Sequence, residues 1–166
     1  MRIGLISDTH GYLDDRIIHH LNECDEIWHA GDIGPAGILD ELSAIKPTFA
    51  VFGNIDNHEV RSATAEDLFL ERNGLKVYMT HIGGYPPRYN KRTRQLIEQH
   101  RPGLFIAGHS HIAKVVPDNQ LKLIHINPGA AGVHGFHKIR TMARFSIENA
   151  SITNLQLIEL GLRAKA

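Results

Sequence analysis

Five apolar runs of strand length recur along this chain, and each leads into Asp, Asn or His. Ile3 to Ile6 precedes Asp8-Thr9-His10, Ile27 to His29 precedes Gly31-Asp32, and Phe49 to Phe52 precedes Gly53-Asn54-Ile55-Asp56. Val77 to Met79 precedes Thr80-His81, and Leu104 to Ala107 precedes Gly108-His109-Ser110-His111. Short continuous apolar runs bounded by turn residues read as buried strands. In an open α/β sheet, the residues just past the strand ends gather in one crevice where ligands bind. The pattern therefore demands layered sheets and helices with the polar strand ends collected on one side.

The segments between the runs agree. Leu13, Ile17, Ile18 and Leu21 recur at helical spacing, with Asp14 placed to cap them. Gly34-Pro35 introduces a second helix with Ile38, Leu39, Leu42 and Ile45 on one face and Pro47 beyond its end, and Thr48 to Phe52 is the third strand. This β-α-β-α-β opening predicts parallel strands with right-handed crossovers. The pattern then changes. Asp67 to Arg72 and Leu75 to Met79 flank Asn73-Gly74, a strong hairpin turn. A glycine- and proline-rich loop, residues 82–89, leads to a helix near Asn90 to Gln99. Strands follow near Leu104, over Ile112 to Val116 and over Gln120 to Ile126, the last two joined by a turn at Pro117-Asp118-Asn119. Thr141 to Ile147 and Ser151 to Ile158 complete the set. The expectation is an α/β fold of two packed mixed sheets flanked by helices. Without internal repeat, linker or low-complexity segment, residues 1–166 read as a single domain.

Composition narrows the function. Lys+Arg equals Asp+Glu at 18 each, so no basic footprint for extended nucleic acid is expected. The lone Cys24 excludes an internal disulfide and a thiolate metal site. No apolar run reaches membrane-spanning length, and the opening Met1-Arg2-Ile3-Gly4 lacks the charged and apolar regions of a secretion signal. A cytoplasmic location is expected.

Asp8, His10, Asp32, Asn54, His81, His109 and His111 offer a nitrogen- and oxygen-rich donor set suited to two divalent cations. Each fragment alone is weak. Asp-x-His can place both side chains on one side of an extended segment, but Asp also caps helices, and Gly-Asp and Gly-Asn are common turn pairs. Gly-His-Ser-His is the sharpest, because its alternate histidines suit adjacent ligands. The combination carries the reading. Of twelve histidines, His19, His20, His100 and His125 read as structural, while His134 and His137, in a glycine-rich loop, are candidates to sit behind the ligands. Arg88, Lys91, Arg92 and Arg94 have the look of a phosphate patch but read first as a solvated face, Tyr85 and Tyr89 as pocket-shaping or packing residues, and Trp28 and His29 as core.

The ordered set Asp-x-His, Gly-Asp, Gly-Asn-x-Asp, a strand-end His and Gly-His-x-His resembles the calcineurin-like metallophosphoesterases, and within them the small prokaryotic YfcE-like phosphodiesterase branch, from Ile3 to about Ile158. The resemblance implies a four-layer α/β/β/α sandwich. It implies that Asp8, His10 and His111 hold one metal, that Asn54, His81 and His109 hold a second, and that Asp32 bridges both. It also implies catalytic roles for Asn54 and His81 in positioning phosphoryl oxygens, with Asp56 orienting a ligand or the loop. Mn²⁺ is the expected metal, ahead of Zn²⁺, Fe²⁺, Ni²⁺ or Co²⁺. The implied activity is that of a phosphodiesterase with a dinuclear metal centre, hydrolysing a small phosphate ester or a nucleotide through a metal-bridging hydroxide. Two rivals share the fold: a phosphomonoesterase, and a non-catalytic scaffold like the retromer subunit. One position departs from the wider superfamily. Ile55 stands where many members carry a His thought to protonate the leaving group, which favours substrates with good leaving groups; His58 is the nearest substitute. Residues 83–89 are the expected specificity loop, and self-association is an expectation with no interface residues to name.

Overall fold

A computed structural model describes residues 1–163. The opening runs form strands β1 (Arg2–Ile6), β2 (Glu26–His29) and β3 (Thr48–Ala50), parallel and connected through helices α1 (Asp15–Asn22) and α2 (Gly37–Ile45). A short helix α3 (His58–Ala63) then leads into a second sheet built from β4 (Asp67–Arg72) and β5 (Leu75–Thr80). A small hairpin of β6 (Gly84–Tyr85) and β7 (Arg88–Tyr89), then helix α4 (Lys91–His100), crosses to β8 (Leu104–Ile106), β9 (Ala113–Asp118) and β10 (Leu123–Pro128). Finally β11 (Ile139–Glu148) and β12 (Ser151–Leu162) return to the first sheet. The strand orders are β12-β11-β1-β2-β3 and β4-β5-β8-β10-β9, two five-stranded mixed sheets.

Side-chain alternation assigns the layers. Ile3, Leu5 and Trp28 of the first sheet meet Val77, Met79, Leu104 and Ile106 of the second in one buried cluster between the sheets. Their sequence neighbours Ile6 and Ile27 face the other way, onto Ile17 and Leu21 of α1 and Ile38 and Leu42 of α2. Tyr78 and Phe105 point outward from the second sheet onto Ile97 of α4. These three apolar interfaces separate four layers, helices outside and sheets inside, as expected. Caps fix the helix starts: Asp14 accepts from the Ile17 amide at 3.0 Å and Asn90 from the Thr93 amide at 2.8 Å. At the β4–β5 hairpin, Asn73 and Gly74 both hold positive φ (47° and 81°), as a tight turn matching sheet twist requires.

Three features differ from expectation. Helix α3 leaves no signal in the sequence, because its six residues bury only Val60 and carry no apolar stripe. The hairpin β6–β7 lies inside the expected loop. Pro117 is not a turn residue. It lies within β9, an edge strand where a missing N–H costs no ladder bond, and the turn falls at residues 119–122, so Gln120 to Lys122 lie outside the strand expected from Gln120. There the Asp118 carboxylate accepts from the amides of Gln120 and Leu121. Among the described residues no helix is long and apolar enough to cross a membrane.

Candidate metal centre

The ligand-type residues follow β1, β2 and β3 of the first sheet and β5 and β8 of the second, so the crevice is assembled from both sheets. Asp8, His10, Asp32, His109 and His111 all hold left-handed backbone, with φ between 47° and 67°. Such conformations cost energy for L residues and cluster where function needs a particular side-chain direction. Backbone bonds lace the loops together: Asp8 N–H to Gly31 O at 2.9 Å, His10 N–H to Asp32 O at 3.0 Å, and Gly108 N–H to His81 O at 3.0 Å. Gly53 is required by contact, since a Cβ there would strike the Asp32 carboxylate.

The side chains gather into two triads. Ligand atoms of Asp8, His10 and His111 lie within 4.8 Å of one another, as do those of Asp32, His81 and His109. Asp32 stands between the sets, its Oδ2 3.7 Å from His10 Nε2 and its Oδ1 3.3 Å from His81 Nε2. Asp8 Oδ1 lies 3.0 Å from His111 Nε2. Three buried atoms aimed into this space, Asp8 Oδ1, His10 Nε2 and His81 Nε2, have no hydrogen-bond partner. Buried polar atoms left unpaired are costly, and carboxylate with imidazole is a donor set for divalent first-row cations. The residues present fit such ions.

Electrostatics follow from the same contacts. Burial works against protonation of His81, but its 3.3 Å approach to Asp32 and the Asp8 and Asp32 charges outweigh it and raise its pKa. Burial likewise opposes ionisation of Asp32, and His81, the Ile55 amide and His10 together hold its pKa below the usual carboxylate value. His81 Nδ1 lies 2.7 Å from Ala30 O, so it carries the proton and aims Nε2 at the carboxylates. Ser7 donates to Asp8 Oδ2 at 2.5 Å and the His109 amide to the same oxygen at 3.2 Å, which leaves Oδ1 free.

A calcineurin-like phosphoesterase superfamily domain model matches residues 1–150. The chain belongs to that superfamily. A probable metallophosphoesterase of Methanothermobacter thermautotrophicus is 30% identical over 138 residues, covering 80% of this chain and 78% of the relative. An archaeal phosphodiesterase of solved structure superposes with a TM-score of 0.76 at 21% identity, over 96% of this chain and 100% of that one. A zinc complex of Vps29 from Entamoeba histolytica superposes at 0.74 with 14% identity, over 97% and 99%. The two structural likenesses speak to the fold.

Within this superfamily member the other candidates have definite places. Asn54 is exposed on the wall shared by two cavities at the ligands. One, of about 460 Å³, is lined by His10, Asp32, Ile55, His109, Ile112 and Phe136. The other, of about 210 Å³, lies beside His81, Arg61, Glu66 and Arg92. The buried Asp56 carboxylate accepts from the amides of Ile33, Gly34 and Gly53 at 2.7–2.9 Å, tying the Asp32 loop to the Asn54 loop. His58 is exposed in the first turn of α3 beside Ser62 and lines neither cavity. Arg92 is paired with Glu66 and Asp67, and Arg94 with Glu98. Tyr89 packs on Phe105 and donates to Asp118, whereas Tyr85 lies under the Lys114 ammonium. Trp28 is core, edge-to-face with Phe145.

His29 is core as well, yet it braces the site. Thr9 donates to Ile33 O, so His29 Nε2 donates to Thr9 Oγ1 at 2.8 Å, while its Nδ1 accepts from the Gly31 amide at 3.1 Å. Burial drives its pKa down to about 3, so the ring is neutral and spans two ligand loops. Arg61 is a further residue of the site. It donates to the carbonyls of Gly53, Asn54 and Asp56 and stacks on Phe52, and only its position after the Asn54 motif hinted at this.

Proposed function

We propose that this superfamily member is a phosphodiesterase dependent on two divalent cations, with Mn²⁺ the preferred metal, acting on a small phosphate ester or nucleotide. The observation that carries the reading is the pair of triads with Asp32 between them and three buried ligand atoms without partners. Asp8, His10 and His111 would hold one cation and His81, His109 and Asn54 the other, and Asp32, which stands between the two sets, would serve both. Bound divalent cations supply Lewis acidity at phosphorus and an acidified water as nucleophile.

The chain's own residues do the rest. Asn54, on the wall common to both cavities, and His81, beside the smaller one, orient phosphoryl oxygens. Asp56 fixes the loops that carry Asp32 and Asn54. Ile55 is 47% exposed at the cleft and has no proton to give. General acid catalysis contributes typically about 10²–10⁴-fold, so esters whose leaving group departs as a stable anion are preferred over simple alkyl esters. Ile55, Ile112 and the fully exposed Phe136 line the larger cavity, which supports a second, apolar or planar ester arm.

The test is hydrolysis of bis-p-nitrophenyl phosphate and p-nitrophenyl phosphate by chelator-stripped protein with Mn²⁺, Zn²⁺ or Ni²⁺ restored. Metal-dependent turnover of the diester that falls to background in His109→Ala is expected. Turnover favouring the monoester would make the enzyme a phosphomonoesterase. A second reading, a scaffold that contacts a protein through the exposed Phe136, draws on the likeness to Vps29. Metal binding with no turnover of either ester would favour it.

A further inference from the structure

The Asp8–His10–His111 triad is backed by a loop that contributes no ligand to it. From that loop, His134 lies against His10 with ring centroids 4.8 Å apart, and His137 against His111 at 5.1 Å. Only the second pair is hydrogen-bonded, Nδ1 to Nδ1 at 3.2 Å. His137 Nε2 lies 3.0 Å from Gly132 O. A carbonyl only accepts, so Nε2 carries the proton of neutral His137 and Nδ1 presents a lone pair. His111 Nδ1 must then be the donor. In the neutral ring its Nε2 is then bare, 3.0 Å from the Asp8 Oδ1 that also lacks a hydrogen-bond partner. Two lone-pair-bearing atoms at that distance form an arrangement that a shared cation satisfies.

We propose that His137 is a positioning residue: it accepts the Nδ1 proton of His111 and so holds that ligand in the tautomer whose Nε2 can bind a cation with Asp8. The proposal rests on the two-cation reading above. The loop is built for the contact. Gly132 N–H bonds Asp8 O at 3.1 Å, so the carbonyl that orients His137 sits on a residue tied to the ligand's own backbone. Gly135 has φ 123°, and a Cβ there would fall 2.5 Å from His111 Cε1. Arg163, just after β12, donates to His137 O at 2.9 Å and to Val133 O at 3.4 Å, clamping the loop from outside. The other triad is oriented differently, His81 by the Ala30 carbonyl, so it does not depend on this loop.

Metal binding by the full chain, measured calorimetrically with Mn²⁺ or Co²⁺, is the test. Wild type is expected to take two ions. His137→Leu keeps the ring's bulk but offers no acceptor, and should weaken one ion by about 10–100-fold while sparing the other. His137→Asn places an oxygen near the Nδ1 position and should restore most of that loss, and His134→Ala should leave both ions nearly unaffected. Two ions bound by folded His137→Leu with wild-type affinity, or Asn no better than Leu, would overturn the proposal. Ring-nitrogen NMR of metal-free wild type decides it even if the variants misfold or no ion binds: His111 must be the Nδ1–H tautomer, and an Nε2–H tautomer refutes it. A wild type that takes no ion would sink the two-cation reading by itself.

Discussion

Two histidines of the interior, His29 and His125, are both held neutral by burial. His29 braces ligand loops, whereas His125 stacks on Phe105 at 5.1 Å in the second sheet. Burial pushes the His125 pKa from 6.5 down to about 4, outweighing the neighbouring Phe105 backbone, which acts to raise it. The unfolded chain takes up a proton as pH falls through 6.5, and the native state takes it up only near 4. The stability is therefore intact above pH 6.5 and erodes as pH falls towards 4, by about 3 kcal/mol in full. His125→Phe should flatten the slope of unfolding free energy between pH 6.5 and 4.5 in urea melts. An unchanged slope would show that His125 does not carry this acid sensitivity. At this scale the site was only partly legible. Asp8, His10, Asp32, His81, His109 and His111 announce themselves because each follows an apolar run, and all six enter a triad. The tautomer of His111 did not, because its partner His137 is 26 positions away along the chain and reaches it only through the return of β11 and the Arg163 clamp.

Single strands divide their residues between two different neighbours. In β5, Val77 and Met79 enter the interface between sheets, Tyr78 turns to α4, and Lys76 is exposed. Met79→Ala should lower unfolding free energy by about 2–5 kcal/mol, and Lys76→Ala should stay within about 0.5 kcal/mol, both read as shifts of the urea midpoint. Comparable costs at both positions would contradict the layer assignment. This alternation explains what was readable in the elements. Strands buried on two faces appear as unbroken apolar runs, and α1 and α2 carry a one-sided stripe. Helix α3 has one buried residue and so left no stripe, and Pro117 looked like a breaker because nothing local distinguishes an edge strand from a turn. Edge position is a property of the finished sheet.

Across the whole molecule, each triad draws on both sheets. Asp8 and His10 come from the first sheet and their partner His111 from the second; Asp32 comes from the first, His81 and His109 from the second. With two ions at about 100 times their dissociation constants, each would add about 2.7 kcal/mol to folding. Chelation should therefore lower the melting temperature by about 10 °C or more. Readdition of Mn²⁺ should reverse the fall, and a melting temperature indifferent to chelator would deny any metal contribution to the fold.

Because neither sheet owns a complete triad, a cation placed there acts as a gauge of docking. Cobalt in this centre would show its visible ligand-field bands only once the two halves had closed on each other. Far-ultraviolet circular dichroism would rise earlier, as soon as strands and helices existed on either side. The interval between the two signals in a refolding experiment would time the meeting of the sheets, a step that backbone signals alone cannot isolate.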